Sequence, residues 1–194
     1  AATNVAFPVT TIATALALLL GIGGASNYNL EMGAGREQRA SSIAGTALST
    51  LVITGAVLAL VVLLFLRPLL GLFGATTDVM PYAVDYLGIT AVGLPFYVLS
   101  IGGNHIVRAD RSPTYSMTCV LTGAVINTIL DPLFIFGFGG GIKGAAWATV
   151  IGQVVSGILV IIYFGKFRKM YLEIRMLKPS SECLKAIILS LIHI

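Results

Sequence analysis

Asp131 is the only acidic residue between Arg111 and Lys143, in a stretch otherwise apolar enough to cross a bilayer. An ionised carboxylate held in hydrocarbon costs about 2.5–3.5 kcal/mol even on the lenient insertion scale, so such residues usually face a cavity and serve an ion or proton path. Asn127 lies four residues earlier, on the same helical face and about 6 Å away along the axis. Pro132 follows and has no N–H, which leaves the carbonyl of Thr128 without its helical donor. A carboxylate, an amide and a freed carbonyl at membrane depth form a plausible donor set for a cation. The competing reading makes Asp131 a helix-end residue paired with Lys143. Its shared face with Asn127 and its distance from the helix end favour the cation site.

The elements that must position these groups follow from composition. Of 194 residues, 57% are hydrophobic and 10% charged, against about 25% charged in a soluble domain. Uncharged runs cover Ala1–Leu30, Ala40–Leu66, Tyr86–Val107, Ser112–Leu130 and Gly144–Gly165, and a span needs roughly 20 mostly apolar residues. The fold class expected is all-α, a polytopic integral membrane bundle of five transmembrane helices. The spans are placed at 4–26, 42–70, 81–108, 114–138 and 143–164. A further helix starts near Leu184, in a terminal segment 182–194 whose end, Leu189–Ile194, could instead be an artefactual tail.

The net charge of +4 does not point to nucleic acid. With loops alternating sides, Arg36, Arg39, Arg108, Arg111, Lys166, Arg168, Lys169, Arg175, Lys178 and Lys185 share one side, and Arg67 and Lys143 take the other. Lys/Arg excess marks the cytoplasmic side, which puts the basic loops in the cytoplasm of a plasma membrane, with a bacterial source expected. The chain begins without methionine or a basic leader, so an internal fragment is expected. Cys119 and Cys183 suggest neither a disulfide nor a metal site.

Gly33-Ala-Gly35 belongs to a charged turn, Glu31–Arg39, that only superficially resembles a phosphate loop, since no Lys-Ser/Thr follows it. Thr77 or Asp78 is placed to cap the third span, with Pro81 in its first turn. Pro95 implies a kink. On the fifth span Gly144, Ala148, Gly152 and Ser156 form a row of small residues that admits a neighbouring backbone. The basic segment Lys166–Lys178 is expected on the anionic leaflet.

Several of these strings, in order, resemble the multidrug and toxic compound extrusion (MATE) family: Gly21-Ile-Gly-Gly-Ala-Ser26, Gly33-Ala-Gly35 with Arg39-Ala40, Leu72-Phe-Gly-Ala75, Tyr86-Leu87, Gly93-Leu-Pro-Phe96, Asn104 with Arg108-Ala109, Asn127-Thr-Ile-Leu-Asp-Pro-Leu-Phe-Ile-Phe136 and Gly144-Ala-Ala-Trp-Ala-Thr149. The resemblance implies a twelve-helix antiporter of two halves. Residues 1–181 would then supply helices two to six of the six-helix amino-terminal lobe; the first helix, which normally adds another aspartate to the cation site, and most of the second half would be missing. It also implies that Asn104, Asn127, Asp131 and Thr149 bind the coupling cation, H⁺ or transiently Na⁺, without a cofactor. The expected partners are the bilayer, small organic cations and the missing half; the activity is export of amphipathic or cationic drugs by alternating access, not enzyme chemistry.

Taken singly, Asn104 and Asn127 serve equally well as interhelical glue, and Thr149 as a back-bonded helix hydroxyl. Gln153 reads as packing. His105, close to Arg108, reads as interfacial rather than as a proton relay, and Tyr82, Tyr86, Phe96, Tyr97 and Trp147 as interface anchors more than as a drug chamber. The competing functions are a lipid-linked saccharide flippase of the same superfamily, which should carry more basic residues at membrane depth, a membrane enzyme, and a non-transporting fragment.

Overall fold

A computed structural model describes residues 2–168, 170 and 172–192. Lys169, His193 and Ile194 of the basic segment and the tail lie outside the described residues. In chain order the helices are α1 (Ala2–Gly33), α2 (Glu37–Leu64), α3 (Leu66–Leu72), α4 (Met80–Ala109), α5 (Pro113–Pro132), α6 (Gly141–Ile162) and α7 (Ser181–Ile192). Five of them, α1, α2, α4, α5 with its continuation and α6, are long and apolar enough to cross a membrane. The chain is an all-helical, multi-pass membrane bundle.

The boundaries differ from the sequence reading where local chemistry shortens a turn or breaks a helix. The charged segment after α1 is helical through Gly33, and the turn is only 34–36. Gly35 takes a positive φ of 73°, and the Arg36 N–H donates back to the Glu31 carbonyl at 2.9 Å, a Schellman closure that satisfies the helix end within three residues. Glu31 therefore stays on the helix, buried, and pairs with Arg36 and, at 3.5 Å, with Arg39. The second span is two helices, because Pro68 cannot donate to the Leu64 carbonyl and the chain breaks at Phe65. Neither Thr77 nor Asp78 caps α4; the cap residue is Val79, with no side-chain hydrogen bond. Past Pro132, α5 widens into a π-helical turn over Leu133–Gly137.

The bundle is organised around α4, which packs on α1, α2, α5 and α6. Close approach is bought with missing side chains, as membrane helix packing requires. A Cβ on Gly21 would lie 2.5 Å from the Gly102 Cα, and one on Gly55 would lie 2.7 Å from the Cα of Pro95. The small-residue row of α6 faces α5: a Cβ on Gly144 would meet the Phe134 carbonyl at 2.5 Å, and one on Gly152 the Gly123 carbonyl at 2.9 Å. The segment after α6 folds back on the bundle rather than only skirting it. Ser180 donates its N–H to Thr46 Oγ1 at 3.4 Å, Ser49 donates to the Leu177 carbonyl, and Met170 and Leu172 are buried. Helix α7 docks on α1, where Asn27 Nδ2 donates to the Ala186 carbonyl at 3.2 Å.

Gly102 sits in one of these crossings, where a Cβ would fall 2.3 Å from Leu51 Cδ2 and 2.8 Å from the Ala17 carbonyl. Gly102→Val should destabilise the bundle by about 1–3 kcal/mol through overpacking. Gly71→Ala, on the short α3 with open space around it, should be neutral or stabilising by up to about 1 kcal/mol. Unfolding of both variants in detergent micelles provides the comparison.

Candidate functional site

Helices α4, α5 and α6 line a cavity of about 330 Å³ that opens on the bundle surface beside Val120. Helix α4 contributes Tyr97, Ser100, Asn104, His105 and Arg108; α5 contributes Gly123 and Asn127; α6 contributes Thr149, Gly152, Gln153 and Ser156. The room exists because Gly123 and Gly152 let α5 and α6 meet backbone to backbone on one side.

Asn104 is 1% exposed. Its Nδ2 donates to the Ser100 carbonyl at 2.7 Å, which fixes the amide and leaves Oδ1 buried without a hydrogen-bond partner. Gln153 Oε1 and Asn127 Nδ2 are likewise buried and unpartnered. A buried acceptor left unmade costs about 1–3 kcal/mol, and native proteins keep such groups for a reason, often a ligand or ion. The Thr149 hydroxyl donates to the Ala145 carbonyl at 2.9 Å, so it is back-bonded as its residue type suggested, yet its oxygen lone pairs remain available. Ser100 and Ser156 share a 2.6 Å hydrogen bond across α4 and α6. Tyr97 reaches out of the site to Thr14 on α1 at 2.8 Å.

The structure thus brings Asn104, Asn127 and Thr149 to one cavity. Asp131 is half-buried, one turn beyond Asn127, and is not among the residues lining it. Nor does it pair with Lys143, which bonds Asp85 at 3.3 Å. The Thr128 carbonyl gains no donor from Pro132, and the next amide, Leu133, donates to Leu130 instead. Of the aromatics considered, Tyr97 lines the cavity, whereas Tyr82 and Trp147 are largely exposed on the bundle surface. His105 and Arg108 form the cavity's basic end, Arg108 Nε donating to Ser116 Oγ at 3.0 Å.

Gln153, read from the sequence as packing, follows Thr149 by one helical turn and lines the cavity. Asp110, in the short loop after α4, is 2% exposed. It accepts hydrogen bonds from Tyr163 at 2.7 Å and Tyr28 at 3.3 Å, tying together the ends of α4, α6 and α1. Only its proximity to Arg108 and Arg111 was visible, and that reads as a solvated loop.

The cavity of this helical membrane bundle is lined by amides and hydroxyls, with His105 and Arg108 at one end. The MatE family's sequence profile matches residues 1–133, and the chain belongs to the MatE family. It is 38% identical over 173 residues to a protein named FAD transporter from Shewanella oneidensis, covering 84% of this chain and 38% of that protein. It is 27% identical over 187 residues to the multidrug export protein MepA of Staphylococcus haemolyticus, covering 96% and 41%. Among solved structures it resembles a multidrug resistance MATE transporter of the MOP superfamily. The TM-score is 0.89 against the inward-facing form, at 29% identity, covering 97% of this chain and 43% of that one. Against the outward-facing form it is 0.88, at 30% identity, covering 96% and 42%. The chain therefore spans about two fifths of the length of the relatives it matches.

Two substitutions separate the roles of these polar groups. Asn104→Leu, which removes an unpaired acceptor and its amide together, should leave stability within about 1 kcal/mol of the parent in the absence of ligand. Tyr163→Phe, which strips a hydroxyl from a buried carboxylate, should cost about 1.5–3 kcal/mol. Thermal unfolding of the purified chain in detergent reads both.

Proposed function

We propose that this chain forms most of one lobe of a cation-coupled antiporter, completed by a second helical half, that exports amphipathic or cationic organic compounds. The observation that carries the reading is Asn104 Oδ1, a buried acceptor with no hydrogen-bond partner, on a residue that lines the same cavity as Asn127, Thr149 and Gln153. A cation placed there would receive neutral oxygens. Asp131, one turn along α5, would supply the charge that an all-amide site lacks.

Coupling requires a group whose occupancy differs between two conformations. The π-helical turn after Pro132 is a weak point in α5, so ion occupancy next to Asp131 would bias how α5 bends. The bundle as a whole superposes about equally well on an inward-facing and an outward-facing relative. That supports movement of the lobe largely as a body, with the ion altering the balance between two orientations. Asp131 suits H⁺ as well as Na⁺, because a carboxylate can bind either.

A second reading concerns the cargo. His105 and Arg108 make one end of the cavity basic, and a relative at 38% identity is named FAD transporter. A substrate carrying phosphate or carboxylate groups would match that end. A lipid-linked saccharide fits less well, because the basic lining is confined to these two residues among those described.

In cells expressing the full-length transporter, Asp131→Asn should abolish ion-gradient-driven ethidium efflux while membrane insertion is retained. Persistent gradient-driven efflux would remove Asp131 from the mechanism. Export of flavin dinucleotide in place of ethidium, lost on Arg108→Gln, would favour the second reading.

A further inference from the structure

A groove of about 570 Å³, separate from the amide cavity, runs between α2 and α6 at the end that carries the basic loops. Val52 and Ile161 form its walls and are 44% and 51% exposed, Val160 lies buried in its floor, and Leu172 and Leu177 of the returning segment close one end. The only charged residue lining it, among those described, is Arg168. One guanidinium N–H of Arg168 donates to the Phe164 carbonyl at 2.7 Å, and no acid pairs with it among the described residues. Most of its five donors remain free. The other polar group, the Ser49 hydroxyl, is already taken up by the carbonyls of Gly45 and Leu177.

We propose that this groove is a specific site for an anionic phospholipid, one acyl chain lying between α2 and α6 and the headgroup phosphate resting on Arg168. Each part of the lipid meets its own chemistry. The walls belong to two membrane-crossing helices, so the medium that reaches them is hydrocarbon. The lone cation sits at the groove's mouth, where a phosphodiester can accept paired guanidinium hydrogens. A zwitterionic lipid offers the same chain and phosphate but adds a cation of its own beside Arg168. The headgroup's net charge, not the chain, is therefore the discriminating feature. A bound lipid would also brace the returning segment against α2, since Leu177 is shared by the groove and the Ser49 hydrogen bond.

Native mass spectrometry of the full chain in detergent, titrated with phosphatidylglycerol or with phosphatidylcholine of identical acyl chains, tests this. The first phosphatidylglycerol should bind about five- to tenfold more tightly than phosphatidylcholine. Arg168→Gln should erase that preference, Arg168→Lys should restore part of it, and Val52→Trp, which fills the groove, should weaken binding of both lipids. Circular dichroism confirms that each variant keeps its helices. Equal affinity for the two lipids, a preference that survives Arg168→Gln, or a mass of two chains in place of a lipid adduct would overturn the proposal.

Discussion

Inside a bilayer a polar group must find its partner within the protein, because no water is at hand to supply one. Asn104 meets only half of that demand. Its N–H is committed to the carbonyl of Ser100, its oxygen is not, and the surrounding helices hold it 1% exposed. Gln153 on α6 likewise leaves a buried oxygen unpartnered, and Asn127 on α5 shows the converse, an unpartnered Nδ2 donor. Three helices, packed closely through small residues, hold these groups around one cavity.

That closeness comes from glycine and serine. Where Gly21 meets Gly102, Gly55 meets Pro95, and Gly152 meets Gly123, a single added carbon would collide with backbone. The basic end is fastened differently, by Asp110 held between two tyrosines and by Glu31 held between two arginines. The membrane-crossing part and the basic end thus obey different chemistry: van der Waals contact through the spans and charged hydrogen bonds at the loops. The lobe is similar to relatives captured in inward-facing and outward-facing forms.

The number and nature of the spans were legible because long uncharged runs allow few other outcomes. Helix ends were less so. The turn after α1 contracts to three residues because Gly35 can take a positive φ, and α2 stops early because of what Pro68 lacks. Both are local effects that composition smooths over. For the site, sequence pattern revealed depth and face but not the rotation of one helix against another. Asp131 drew attention through its charge, whereas the cavity is built from neutral amides on three helices whose angular settings arise from glycine contacts distant in sequence. Gln153 looked like filler for the same reason. Asp110 looked solvated because its tyrosine partners come from helix ends 53 and 82 residues away.

Everything functional rests on the idea that the amide cavity and its neighbouring carboxylate hold a small cation. Direct binding to the purified protein in lipid nanodiscs addresses it most plainly: ²³Na line broadening with K⁺ as competitor, alongside proton release followed over a pH series. The account requires saturable occupancy by Na⁺ or by a proton, insensitive to K⁺ and lost when Asn104 and Asp131 are both replaced by apolar residues. A protein that takes up neither ion, or that takes up either one equally well after that double replacement, would contradict it.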